Sequence, residues 1–262
     1  MDRLRAGFRK EAKMLMRDKV ILVTGGSRGI GAAIARLLAR NGAAVAVNYF
    51  RSEEAARRIV AEIKEKGGVA VAAKADVRSR TQVEAMARKV EASLGPIDTL
   101  VLNASISFPV VPFLKFPWEE FEAKLTGELK AAFFPCKAVV PAMVQRKRGC
   151  IIGISSGLSR VVGEGFCAHS TAKSGLDAFM KSLALELGPK GIRVNVVAPG
   201  LTETDATAFL SKKEKDVYAH MTPLRRNGLP EDVAGAVLFF ASEEARFISG
   251  TYLPVSGGYH MT

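Results

Sequence analysis

The stretch TGGSRGIG, residues 24–31, lies between a short apolar run, KVILVT (19–24), and an amphipathic helical pattern, GIGAAIARLLARNG (29–42). Its Gly25, Gly29 and Gly31 keep the spacing G-x-x-x-G-x-G. Glycines permit a tight turn and let a pyrophosphate approach the main chain, and the N-terminus of the following helix attracts that negative charge. The same glycines would serve a tight turn with no ligand. The strand–turn–helix context favours the ligand.

The pattern then repeats along the chain. Apolar runs at 43–50, 69–76, 97–103, 149–156, 192–199 and 250–257 read as strands. Between them, helical spacing marks 52–68, 79–94, 117–146, 170–188 and 230–242. Ser52, followed by Glu53 and Glu54, suits the start of its helix, and Gly42 suits a helix stop. Pro135 and Pro141 predict a kink or an early end in the 117–146 helix. Residues 200–229 carry little apolar periodicity and read as a loop with a short helix, of the kind that covers a ligand crevice. Uniformly apolar strands alternating with helices predict an α/β fold, a doubly wound parallel sheet in a single domain.

A chain of 262 residues can bury one large core of this kind. No apolar run is long enough to span a bilayer. Cys136, Cys150 and Cys167 are odd in number and form no CxxC pair, so neither a disulfide framework nor a metal site is expected, and a cytoplasmic location is the default. Residues 1–17 carry six Lys or Arg against two acidic residues and form a basic N-terminal extension before a domain over 18–262. The extension reads as a tail, a short surface helix, or sequence upstream of a start at Met14 or Met16. The net charge of +12 is compatible with nucleic acid, an acidic membrane or a phosphorylated small molecule. No basic stretch is interleaved with aromatic residues, so a phosphate-bearing ligand is the more economical account, with neither nucleic acid nor membrane as partner.

From about residue 18 to its end the chain resembles the short-chain dehydrogenase/reductase family, and most of all its 3-oxoacyl-acyl-carrier-protein reductase branch. TGGSRGIG, the DV at 76–77, NAS at 103–105, SS at 155–156, Lys173, RVNVVAPG at 193–200 and GLPEDVA at 228–234 carry the resemblance. It implies a Rossmann-like sheet. Gly25, Ser27, Arg28, Gly29, Ile30 and Gly31 would cradle the cofactor phosphates, with Asp76 and Val77 at the adenine and Asn103 beside the ribose. Lys173 would bind the nicotinamide ribose, and Pro199, Gly200 and Thr204 would lie near the carboxamide. The second strand ends VNYFRS with no acidic residue before Glu53. Arg28, Arg51 and Ser52 there suit a 2′-phosphate, so NADP(H) is favoured over NAD(H), although both arginines could simply face solvent.

The family's catalytic set is an asparagine, a serine, a tyrosine thirteen residues on, and a lysine four beyond that. Ser156 and Lys173 match, but the tyrosine position holds His169, and no tyrosine occurs between 157 and 175. Glu128 takes the asparagine position. Ketone reduction needs a hydride and a proton. His169 could donate that proton, with Lys173 lowering its pKa and Glu128 opposing, and an optimum on the acidic side is then expected. Two alternatives stand beside this: His169 merely fills the pocket, or it works with Glu128 as an acid/base pair in elimination or isomerisation.

The resemblance also implies a pocket lined by 104–113, 157–166 and 201–225, and ISFPVVPFLKF (106–116) suits an acyl chain. Arg146, Lys147, Arg148 and Lys190 are compatible with docking an acidic acyl carrier, or with solvated helix ends. A homotetramer is implied, with the 117–146 and 170–188 helices and the last strand at subunit contacts. The expected activity is NADPH-dependent reduction of a 3-oxoacyl thioester or similar hydrophobic ketone. The rival is a catalytically weak NADP(H)-binding protein acting as sensor or partner subunit.

Overall fold

Each apolar run becomes a strand of one sheet. In the computed structural model, which describes residues 14–260, these are β1 (Val20–Val23), β2 (Ala44–Tyr49), β3 (Val69–Lys74), β4 (Thr99–Leu102), β5 (Gly149–Ile154), β6 (Ile192–Pro199) and β7 (Tyr252–Val255). They pair in the order β3-β2-β1-β4-β5-β6-β7, parallel throughout. The helices are α1 (Gly29–Arg40), α2 (Glu53–Glu65), α3 (Arg80–Leu94), α4 (Trp118–Gln145), α5 (Cys167–Leu187), α6 (Lys212–Met221) and α7 (Pro230–Ala241). Among the described residues no helix is long and apolar enough to cross a membrane.

Successive strand residues point to opposite faces, so a strand buried on both must be apolar at every position. Ile21 and Val23 of β1 join the core beneath α1, α2 and α7, whereas Val20 and Leu22 join the core beneath α3, α4 and α5. Ile152 and Ile151 of β5 divide the same way. The chain winds outward from β1 to β3 and then restarts at β4 on the other side of β1. This reversal opens a crevice at the carboxyl ends of β1 and β4, where such sheets take their ligands.

One expectation needs correction, the early end at the prolines of the 117–146 helix. α4 continues through both prolines as one helix from Trp118 to Gln145. Pro135 is buried, and the packing of α4 on α3 and α5 outweighs the lost backbone hydrogen bonds. Met16, at the end of the basic segment, is fully buried, and its N–H bonds Asn41 O at 2.9 Å. Residues 1–13 of the basic extension lie outside the described residues. The segment after β7 folds back on its own chain, with the His260 ring against Gly157.

Candidate active site

The glycine loop is built as its sequence demands. Gly25 has φ +61° and Gly29 φ +51°, angles that favour glycine. A side chain at Gly31 would strike the Gly25 carbonyl and the Asn103 amide. Two asparagines brace the turn. Asn103 Nδ2 donates to Thr24 O at 2.9 Å and Gly25 O at 3.0 Å. Asn48, buried at the end of β2, accepts from Gly25 N at 3.1 Å and donates to Ala73 O and Ala75 O. Asn48 escaped the sequence reading, although a lone amide in an otherwise apolar strand was its signal. Thr204 closes over the loop, its methyl 3.5 Å from where a Gly29 Cβ would lie. Ile30 turns its side chain into the core, Ser27 is buried, and the first N–H groups of α1 have no intrahelical partner. The turn therefore offers backbone donors at the start of α1 of the kind that hold a pyrophosphate. Pro199 ends β6, and Gly200 N bonds Val255 O at 3.0 Å, which fixes the turn leading to Thr204.

After β2 and β3, two acidic side chains, Glu53 and Asp76, are already engaged. Glu53 pairs with Arg57 at 2.7 Å along α2. Asp76 binds Arg78 through both oxygens, at 2.9 and 2.8 Å, and this hydrogen-bonded guanidinium holds its carboxyl below the usual range against the effect of burial. Val77 is buried beside it. Arg28, Arg51 and Ser52 are exposed, with Arg51 5.2 Å from the Phe50 ring centre and Arg78 5.8 Å from the same ring. Arg78 is thus a further cation at this end of the crevice.

Lys173 reaches the end of β5, just before Ser156 in the chain. Lys173, 3% exposed, donates to Ile154 O at 2.7 Å, two residues before Ser156. Ser156 Oγ accepts the N–H of Leu158 at 3.2 Å, which leaves its own proton to donate. Glu128 meets Lys173 at 2.7 Å through Oε1. Its Oε2 accepts from Lys124 at 2.7 Å, from Ser105 Oγ at 3.1 Å and from Ile106 N at 3.1 Å. Burial pushes the Glu128 carboxyl up, but Lys173 and Lys124 outweigh it and leave it at about 2. Burial pushes the Lys124 ammonium down to about 8, against the pull of Glu128. Lys124 was missed because a Lys and a Glu four apart on a helix usually mark a surface pair.

His169 stands one turn before Lys173 on α5. Phe108 stacks on it at 4.9 Å and Phe166 meets it edge-on at 6.4 Å. Burial lowers its pKa to about 3, helped by Lys173 and Lys124 and opposed by Glu128. Its Nδ1 is buried without a partner. The expected imidazolium at the acidic side of neutrality is therefore not what this pocket holds. Two cations outweigh the single carboxylate, and the ring stays neutral.

The loops 104–113 and 157–166 come together at this ring, since a side chain on Gly165 would lie 3.0 Å from Val110. Of the four basic residues considered for carrier docking, two have partners inside the chain. Arg146 and Arg148 bind Asp98 at 3.0 and 3.1 Å, and Arg146 also bonds Ile97 O at 2.6 Å. Lys147 and Lys190 sit in the turns flanking β5 and β6.

Residues 25–260 match the family model described as enoyl-(acyl carrier protein) reductase. The 3-oxoacyl-acyl-carrier-protein reductase FabG of Staphylococcus aureus is 38% identical over 243 residues, covering 93% of this chain and 98% of that protein. An L-rhamnose 1-dehydrogenase (NAD(P)(+)) of a Sphingomonas species is 37% identical over 250 residues, covering 94% and 98%. Among solved structures, a gluconate 5-dehydrogenase from Burkholderia cenocepacia in complex with NADP and tartrate superposes with a TM-score of 0.88 at 32% identity, covering 94% of this chain and 97% of that one.

Proposed function

The chain belongs to the short-chain dehydrogenase/reductase family, and from that premise we propose that it reduces a carbonyl at the expense of NADPH, on a 3-oxoacyl thioester or a similar hydrophobic ketone. The observation that carries this reading is the Lys173–Ile154 bond, which brings the lysine to the end of β5, two residues before Ser156 in the chain. The FabG relatives support the acyl substrate, and the gluconate dehydrogenase with NADP supports the cofactor. Arg28 and Arg51, both exposed at the phosphate end, support NADPH over NADH.

NADPH supplies the hydride when bound. The glycine cradle would hold its pyrophosphate, and Arg28, Arg51 and Ser52 its 2′-phosphate. Lys173 already gives one hydrogen bond to Ile154 O and one to Glu128, so a third proton remains for a ribose hydroxyl. Ser156 donates to the substrate oxygen and stabilises the charge that develops there. Neutral His169 donates a hydrogen bond to the same oxygen from Nε2, since Nδ1 is buried, passes that proton to the alkoxide left by hydride transfer and regains one from solvent. Phe108 and Phe166 exclude water and line the apolar side. Glu128, held as a carboxylate between two ammonium groups, keeps Lys173 in place.

A second reading has its own support. A neutral His169 covered by Phe108 is a poor proton donor, which fits a protein that binds NADP(H) and turns over slowly or not at all. The test is NADPH oxidation with a short 3-oxoacyl thioester, run beside fluorescence titrations with NADPH and NADH. Turnover with tighter NADPH binding supports reduction. NADPH binding with no turnover across acyl substrates selects the second reading. Absence of binding overturns both.

A further inference from the structure

Among the described residues, Lys124 is the largest side chain completely withdrawn from solvent. Its Nζ donates to Glu128 Oε2 at 2.7 Å, to Ser105 Oγ at 3.0 Å and to Ile106 O at 2.8 Å, which uses all three ammonium protons. It also lies 5.0 Å from the centre of the Phe108 ring. One turn further along α4, Glu128 accepts from Ile106 N and Ser105 Oγ. The two side chains thus hold both backbone groups of Ile106 and the hydroxyl of Ser105. These residues belong to the 103–112 segment, which has no helix or strand of its own.

A buried ion pair does little for stability that packed apolar side chains would not do equally well. This one performs a task they could not: it fixes an irregular loop by its polar atoms. The fixed loop carries Phe108, and Phe108 covers His169. Glu128 extends the same arrangement to Lys173.

We propose that Lys124 is a positioning residue of the site, clasping residues 105–108 onto α4 so that Phe108 stays stacked on His169 and the apolar wall of the substrate pocket is held in place. The pocket is then set from α4, by a residue that touches neither substrate nor cofactor. The catalytic consequence rests on the reductase reading above; the position of the loop does not.

The two parts are tested separately. A ring stacked at this distance displaces the His169 carbon-bound protons upfield, and histidine-selective NMR reads this without turnover, with His169→Tyr assigning the signal. Lys124→Met is expected to return those protons to ordinary shifts, whereas Lys124→Arg keeps the upfield position in part. Ser105→Ala, at an exposed residue, removes one of the three acceptors of Lys124 and is expected to move them in the same direction by less. In kinetics with a 3-oxoacyl thioester, Lys124→Met is expected to raise KM about tenfold with kcat changed less than about twofold, the mark of lost substrate positioning. Unmoved His169 protons in both Lys124→Met and Ser105→Ala overturn the proposal, as does a fall in kcat with KM constant. Should Lys124→Met not fold, Ser105→Ala and the charge-neutral pair Lys124→Met with Glu128→Gln decide by the same readout. A parent that shows the upfield protons but no turnover would sink the reductase reading and leave the loop clasp standing.

Discussion

Phe108 lies flat on His169, with ring centres 4.9 Å apart and planes inclined by 17°. The contact explains why the imidazole behaves as it does. A ring shielded by Phe108 and Phe166 loses hydration, and the charged form suffers most from that loss. Two ammonium groups nearby act in the same direction. The imidazole that the proposed reading makes a donor is thus uncharged, not an acid poised near neutrality.

The rate of NADPH oxidation is therefore expected to show no histidine-like limb between pH 5 and pH 8. His169 takes up its proton only near pH 3, so its charge is constant over that range. Initial rates with a short 3-oxoacyl thioester check this. A rate that falls with rising pH through about 6.5, the ordinary histidine value, would mean that an imidazolium is the donor. The His169→Tyr variant is expected to gain about a hundredfold in kcat, the scale of a restored general acid.

Acid is expected to destabilise the fold through the same groups. In the unfolded chain His169 protonates near 6.5, and in the folded chain only near 3. Between these values the unfolded state binds one more proton, so stability falls as pH drops. The slope from this group is about 1.4 kcal/mol per pH unit. Glu128 adds a second contribution below its ordinary 4.5, because its folded value is about 2. Thermal unfolding from pH 7 to pH 4 measures the sum. His169→Phe is expected to flatten the curve between pH 6.5 and 5 and leave the steeper fall below 4.5. An unchanged slope above pH 5 would mean that His169 charges freely in the folded protein.

The sheet and its crevice were legible in the chain because each rests on local rules. Strands buried on both faces must be apolar throughout, and the turn after β1 must be glycine where φ is positive. The α4 prolines misled because tertiary packing decided the outcome, not the missing N–H groups. The site was legible only by halves. Ser156, Lys173 and Glu128 stood at readable spacings, but the Lys124 that makes Glu128 a buried carboxylate did not. Its four-residue spacing from Glu128 is that of countless exposed pairs, and only the 105–108 loop folding over it removes it from water. Whether His169 is charged was beyond the sequence for the same reason: it depends on Phe108, sixty-one residues away in the chain.

Gly31→Ala is expected to abolish cofactor binding more readily than it unfolds the chain. The added methyl would meet the Gly25 carbonyl and the Asn103 amide, the two groups that shape the turn. The loop must then open at the point where a pyrophosphate would sit. Overpacking of this kind costs about 1–3 kcal/mol. NADPH titration together with thermal unfolding separates the two effects, and wild-type affinity in the variant would place the pyrophosphate elsewhere.

The choice between NADPH and NADH is expected to lie with Arg51 and Arg28, because Glu53 and Asp76 are already paired with basic side chains. Glu53, the first acidic residue after β2, is committed to Arg57, and Asp76 is committed to Arg78. Arg51 stands exposed beside Phe50. A hydrogen bond to a charged group is worth about 1.5–3 kcal/mol, so Arg51→Ala should weaken NADPH at least about tenfold and leave NADH within about twofold. Arg51→Asp should go further and favour NADH, since a carboxylate repels the 2′-phosphate and accepts from a 2′-hydroxyl. Arg78 remains in both variants, paired with Asp76, and its charge sets the residual NADPH affinity. Paired titrations of each variant with the two cofactors, repeated at low and high salt, decide the matter. Equal losses for both cofactors would assign Arg51 to the shared adenosine portion, and no loss for either would make it a surface residue.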